Sequence, residues 1–391
     1  MKYFSEGKLV IKSWCNNPEE GAIKQAYNMS NLPFAFKHIC LMPDTHEGYG
    51  MPIGGVLATK GVIIPNAVGV DIGCGMVAVR TSLRKISTNN LLSIISDIRK
   101  EIPVGFNHHK EKQDEFFMPP IEQYETDCFM DEFPIVYEQY DSVLHQLGTL
   151  GGGNHFIEIQ KGNDGYIWIM IHSGSRNLGY KVAKYYNEVA KKLNKRWYSN
   201  VDSKWDLAFL SVDSEEGQSY IREMNYCVDF AFANRKLMMD RIKKIFKKYN
   251  ENIEFSKMIN IAHNYARLEN HFGVNVWIHR KGATSARKGE IGIIPGSQGT
   301  SSYIVEGLGN PDSFASCSHG AGRRMSRIKA REVLNLEEEQ NKLQGIVHSV
   351  REKKDLDEAS SAYKDIDVVM EEQKDLVRKT VELKPLGVIK G

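Results

Sequence analysis

The chain has 391 residues, 41% hydrophobic and 26% charged, with 16 Phe, 17 Tyr and 5 Trp. That composition excludes a disordered or low-complexity protein and allows one large core or two ordinary ones. With 51 Lys and Arg against 49 Asp and Glu the net charge is +2, so no overall field draws a polyanion and any nucleic-acid surface has to be local.

No apolar run approaches the roughly 18 residues of a membrane-spanning helix. The opening "MKYFSEGKLV" lacks an apolar stretch followed by a cleavage site, which predicts a cytoplasmic protein. The six cysteines, Cys15, Cys40, Cys74, Cys128, Cys227 and Cys317, form no C-x-x-C pair and read as reduced thiols.

In chain order, residues 1–160 alternate short apolar runs with glycine-rich turns, and "GGVLATKGVIIPNAVGV", "MVAVRT" and "HFIEI" predict strands. "GYIWIMIHSGSRNLG" rises as a buried strand and breaks into a Ser/Gly loop at His172; "VNVWIHRKGATSARKG" repeats the pattern. Over about 180–250 the sequence turns helical and basic. Val182, Tyr186, Val189 and Leu193, then Leu237, Ile242 and Ile245, fall at helical spacing and predict amphipathic helices with solvated basic faces, separated by a loop near "SVDSEEGQ". From about 324 the chain is helical again. With no repeat, low-complexity tract or Pro/Ser-rich linker, the pattern predicts an α+β fold, one domain over 1–391, with a β-sheet core and surrounding helices.

Chemistry concentrates in a few places. "GVDIGCGMVAVR" sets Asp71 and Cys74 three apart among Gly69, Gly73 and Gly75; glycines are costly in a strand, so something must approach this backbone closely. His155, His172, His263 and His319 each lie beside small residues or strand ends. Imidazole, thiolate and carboxylate are transition-metal ligands, and Arg176, Arg323, Arg324 and Arg327 offer forks that match phosphate oxygens. Together these point to phosphoryl chemistry. No P-loop is present, and "GSQGTSSY" reads equally as a plain surface turn.

Ten blocks, in order over residues 42–391, carry a resemblance: "PDTHEGYGMPIGG" with "GVDIGCGM", "LGTLGGGNHFIE", "HSGSRNLG", "HNYA", "RKGAT", "GSQGTSSY", "SCSHGAGRRMSR", "AYKDID" and "PLGVIKG". The chain resembles the RtcB family of GTP-dependent RNA ligases. The resemblance implies that His319 attacks the α-phosphate of GTP and carries GMP. It implies two Mn²⁺ ions, one held by Asp71, Cys74 and His155 and the other by Cys74, His172 and His263, although thiolate and imidazole alone would favour zinc. It further implies Asn154, Glu158, Ser297, Ser302, Tyr363 and Lys390 around the guanosine and its phosphate. Lys390 alone would read as a frayed tail.

Arg176 and Arg327, with Lys281, are the implied contacts to the RNA terminal phosphate. The implied reaction joins 3′-phosphate or 2′,3′-cyclic phosphate RNA ends to 5′-hydroxyl ends, in RNA repair or tRNA splicing, and an archease-like activator is the implied protein partner. Two rival readings are a metal-dependent cyclic phosphodiesterase that does not ligate, and a non-catalytic RNA-binding factor. Residues 335–360 and the loop "GFNHHKEKQDEFFMPP" match no family motif, and His108 and His109 in that loop read as solvent-facing.

Overall fold

Side chains alternate along the strand Gly75–Arg80, so Val77 and Val79 point one way and Met76 and Ala78 the other, and all four are fully buried. A strand apolar on both faces belongs in the interior of a covered sheet. The structure, a computed structural model, describes residues 1–124 and 128–391. It places Gly75–Arg80 in a seven-stranded sheet in the order Ile259–Ala262, Gly75–Arg80, Ile167–Ser173, Phe156–Gly162, Val377–Lys390, Ser302–Gly307, Ile291–Ile294. Val77 and Val79 pack with Leu91, Ile94 and Ile98 of the helix Thr88–Glu101 and with Met238 and Ile242 of the helix Glu215–Tyr249. Met76 and Ala78 pack with Trp168, Ile293 and Leu383.

A six-stranded sheet runs in the order Lys2–Phe4, Val10–Ser13, Ala35–His46, Ile53–Thr59, Val274–Lys281, Asn264–His271. Its residues Met42, Val56 and Ile278 share a core with Tyr303 and Val305 of the seven-stranded sheet. The architecture is α+β, a sheet core with helices around it.

The two basic amphipathic segments are helices, Arg176–Arg196 and Glu215–Tyr249, with Val182, Tyr186, Leu237, Ile242 and Ile245 buried. "SVDSEEGQ" ends the connection between them, where the Ser214 side chain caps the second helix by accepting from Gly217 N–H.

Other expectations need correction. Residues 1–160 are not strands and turns alone, for they include the helices Glu20–Ser30, Thr88–Glu101 and Pro134–Gln146. Within "GVIIPNAVGV" only Val62–Ile63 is extended, and Pro65 opens the short helix Pro65–Val68, where its fixed φ and missing N–H cost nothing. The strand through His172 runs on to Ser173, and "RNLG" is already helix. Lys390 is not a frayed tail: it ends a 14-residue strand in register with Phe156. His109 is half-buried, its Nε2 accepting from Arg241 Nη1 at 2.8 Å, whereas His108 is exposed.

Candidate active site and metal centre

Strand register assembles donors that lie far apart in sequence. Met76 and Phe156 both pair with His172, and Gly75 pairs with Ser173 on one side and Ala262 on the other. Cys74, His155 and His263 each sit one residue beyond such a pair, so four neighbouring strands deliver their ends to one point. Cys74 Sγ lies 3.4 Å from His155 Nε2 and 3.2 Å from His172 Nε2, and Asp71 Oδ2 lies 3.2 Å from His155 Nε2. Donor atoms of Cys74, His172 and His263 fall within 4.8 Å of one another, as do those of Asp71, Cys74 and His155. The Cys74 thiol is common to both groups.

The donor set fits divalent metal. Nδ1 of His155 meets the Leu150 carbonyl at 3.0 Å and Nδ1 of His172 meets the Asn154 carbonyl at 3.2 Å. A carbonyl accepts and cannot donate, so each Nδ1 carries the proton and each Nε2 turns a lone pair inward. His263 Nδ1 is buried with no hydrogen-bond partner among the described residues. Burial, reinforced by neighbouring imidazoles, holds His172 and His263 well below the ordinary histidine range, which keeps them neutral as ligation requires. Burial, then the Asp71 charge, pushes the Cys74 thiol well up, and a cation there would favour the thiolate.

The glycines around Cys74 have a local cause. Gly73 has φ +75°, and a Cβ there would lie 2.8 Å from Val228 Cα on the long helix; a Cβ at Gly75 would lie 2.8 Å from Ala262 Cα. The close approach is made by the chain's own helix and strand. Arg235, fully buried on that helix, pins the arrangement: its Nη1 donates to the carbonyls of Gly73 at 2.8 Å and Ser173 at 2.9 Å, and its Nε to Asn260 Oδ1 at 2.8 Å.

His172 also lines a cavity of about 290 Å³ that contains His319. The buried carboxylate of Asp44 holds His319 in three ways, since one oxygen, Oδ2, meets its Nδ1 at 2.6 Å, its N–H at 3.0 Å and the Gly320 N–H at 3.3 Å. In the neutral ring a carboxylate acceptor places the proton on Nδ1 and leaves the lone pair on Nε2. The His319 and His263 rings are 4.8 Å apart between centroids.

Asn154, Glu158, Ser297, Tyr363, Lys390 and Arg327 line the same cavity. Burial raises the Glu158 carboxyl to about 8, with Lys390 and Gln160 opposing. Ser302 sits behind the wall, where its Oγ accepts from Gly296 N–H at 3.2 Å. Arg176 is outside the cavity but beside the candidate metal ligands Asp71 and Cys74, anchored by Nε to Thr149 Oγ1 at 3.1 Å. Lys281 is not brought to the cleft. Its side-chain nitrogen donates to the carbonyls of Tyr49 at 2.5 Å and Asn66 at 3.0 Å, and burial lowers it to about 7.

Three residues escaped the sequence reading: Asp44, Arg235 and Glu358. Glu358 accepts from Arg323 Nη1 at 3.1 Å and pairs with Arg327 Nε at 2.9 Å, and the Tyr363 hydroxyl also donates to it. Burial would raise its carboxyl, but Lys390, Arg327 and Arg323 together hold it low. A larger cleft, about 600 Å³, lies between the helix Glu215–Tyr249 and the strands Ile259–Ala262 and Asn264–His271. It holds none of the predicted site residues among its described lining, and its acid Asp229 is taken up by the Tyr124 hydroxyl at 2.5 Å.

The family model described as tRNA-splicing ligase RtcB matches residues 25–391. The chain is 40% identical to the RNA-splicing ligase RtcB of Escherichia coli K12, over 97% of this chain and 97% of that protein. It is 34% identical to the tRNA-splicing ligase RtcB of Methanococcus maripaludis, over 96% of this chain and 92% of that protein. The chain belongs to the RtcB family.

Proposed function

We propose that the protein is an RNA-splicing or repair ligase that seals 3′-phosphate or 2′,3′-cyclic phosphate ends to 5′-hydroxyl ends through a GMP-carrying histidine, with 1–391 acting as one catalytic domain. The observation that carries this reading is His319 on the wall of a cavity shared with Glu158, Tyr363 and Lys390, its Nδ1 bound by Asp44 so that the neutral ring keeps its lone pair on Nε2. The Nε2 lone pair attacks the α-phosphorus of GTP, an N–P bond forms, and the bond to pyrophosphate breaks. Asp44 stabilises the positive charge that develops on the ring. Water opens any cyclic phosphate to a 3′-phosphate. That phosphate attacks the histidine-bound GMP, regenerates His319 and becomes a 3′-to-5′ pyrophosphate-linked guanosine. The 5′-hydroxyl then attacks the RNA phosphorus and GMP leaves.

Asp71, Cys74, His155, His172 and His263 would hold two Mn²⁺ ions, which supply positive charge against the phosphate oxygens. Arg327 and Arg176 bind and orient the RNA phosphate. Glu158 accepts from the guanine N1–H and amino group while Lys390 reaches O6 and Tyr363 stacks.

The test is incubation with α-labelled GTP and Mn²⁺, followed by denaturation, for the parent and for His319→Ala. Acid-labile label retained by the parent and absent from the variant is the expected result. No label on the fully metallated parent would overturn the ligase in favour of the cyclic phosphodiesterase.

A pH dependence follows from Glu158. With its carboxyl raised to about 8, the empty site is protonated at neutral pH, and accepting from guanine requires the proton to leave. Affinity is therefore expected to rise about tenfold per pH unit up to about pH 8 and then level off. Guanosine, which has no titrating phosphate, is the suitable ligand for calorimetry, and Glu158→Gln should flatten the profile. A flat parental profile would remove Glu158 from the base.

A further inference from the structure

We infer that Phe106 is a stacking platform for a nucleobase beside the RNA break. The inference rests on the ligase reading and extends it to the grip on the RNA end.

The Phe106 side chain is 101% exposed, which no packing requirement explains. Yet its loop is held on both sides. Gly105 N–H donates to the Gly151 carbonyl at 2.8 Å, Asn107 N–H and Nδ2 donate to the Val104 carbonyl at 3.2 and 3.1 Å, and His109 N–H donates to the His145 carbonyl at 3.0 Å. A phenyl ring held out in water by an anchored backbone loses little entropy on binding, as a stacking surface requires.

What singles out Phe106 is the turn against which its loop is tied. Gly151, Gly152 and Gly153 form a bare floor between two guanidiniums. A Cβ at Gly151 would collide with the Arg176 guanidinium, and one at Gly153 would lie 2.8 Å from Arg327 Nη2. One at Gly152 would lie 3.5 Å from Gly105 Cα, so the Phe106 loop borders the floor between the two arginines. Arg176 lies within electrostatic reach of Asp71 and Cys74, and Arg327 lines the His319 cavity, so the floor spans both halves of the proposed reaction site.

Two cations spaced along a floor without side chains suit a phosphodiester backbone, and an aromatic ring on its border suits a base of the same strand. The exposed Asn107 and His108 beside it add donors and acceptors for a base edge. A stack reads no base identity, which is what an enzyme that seals breaks in different sequences needs. An apolar protein partner fits less well, because the next residues, Asn107 and His108, are exposed and polar, and Arg176 Nη2 lies 3.5 Å from the carbonyl of the preceding Gly105.

The test uses the full-length metallated protein and a pair of short RNAs, one ending in a 3′-phosphate and one beginning with a 5′-hydroxyl. Phe106→Ala is expected to raise the KM for RNA about 5- to 100-fold while leaving guanylylation by GTP unchanged, and Phe106→Trp to restore the parental value. Abasic sites are then placed one at a time at the nucleotides flanking the break. At the stacked position the parent should lose the same factor, and Phe106→Ala should lose nothing further. Parental KM in Phe106→Ala, or an abasic penalty that persists at every position in that variant, overturns the inference. So does a defect that appears only with a protein activator present. Failure of the ligase reading would show separately as absent GMP label in every variant. Anisotropy of the labelled 3′-phosphate strand without GTP reports on Phe106 even then.

Discussion

Cys74→Ala is expected to empty both proposed metal sites at once and to reduce the proposed guanylylation of His319 by roughly three orders of magnitude or more, the scale of a lost metal-ion contribution of several kcal/mol. The reason is the sharing of one sulfur. Each proposed site has three protein donors, and Cys74 belongs to both, so the substitution leaves Asp71 with His155 on one side and His172 with His263 on the other. Two donors chelate a divalent ion far more weakly than three. The fold should survive, because the removed atom is a single sulfur at a turn fixed by Arg235 bonds to the Gly73 and Ser173 carbonyls, which do not involve the side chain of residue 74. The measurement is metal content after gel filtration, beside the labelling rate and a thermal melt. A folded variant that retains two ions and near-parental labelling would remove the bridging thiol from the mechanism. Asp71→Ala, which strips one group only, should lose one ion and keep the other.

The parts of this site that were legible in sequence are those that carry their own local mark. Asp71, Cys74, His155, His172 and His319 stand close to glycines, and the glycine cost points to a special backbone before any partner is known, whereas His263 in "IAHNYA" has no such neighbour. Asp44 has no such mark. It lies in a buried strand 275 residues from His319, and its role exists only once the sheet has closed. Glu358 sits in a segment without recognised motif, where an acid among Lys353, Lys354 and Asp355 reads as solvated surface; only folding sets it against Arg323 and Arg327.

The missed helices differ in kind. Leu91, Ile94, Ile95 and Ile98 follow Ser87, a helix cap, at helical spacing, so the signal for Thr88–Glu101 was present and was outweighed by the glycine-punctuated runs around it. Glu20–Ser30 buries mostly Ala22, Ala26 and Met29, a weak apolar face whose register depends on the sheet it covers. Lys281 shows the opposite limit. It is a phosphate contact only by resemblance, and nothing beside it in sequence marks the carbonyls of Tyr49 and Asn66 that its side chain meets in the fold.

Asp44→Asn is expected to slow guanylylation by roughly 10³- to 10⁴-fold with little change in GTP affinity, by the same tautomer logic that makes the carboxylate of a serine-protease triad indispensable. An ionised carboxylate accepts from Nδ1–H and so leaves Nε2 unprotonated toward the cavity. An amide can present its N–H₂ to Nδ1 instead, which moves the ring proton to Nε2 and blocks the nucleophile. The backbone N–H groups of His319 and Gly320 meet the same carboxylate oxygen as Nδ1, so they favour the amide oxygen in its place; the ring then keeps its position and its tautomer but loses the negative charge that stabilises the developing imidazolium, so either orientation slows the attack. Asp44→Ala leaves those donors without their buried acceptor, and a loss of stability on the order of 1–3 kcal/mol is expected to accompany the kinetic one. The comparison therefore separates positioning from structure. Single-turnover labelling gives the rate, calorimetry with GTP the affinity, and a thermal melt the stability. An Asn variant that labels within about fivefold of the parent would show that His319 selects its tautomer without Asp44, and the contact at 2.6 Å would then be structural alone.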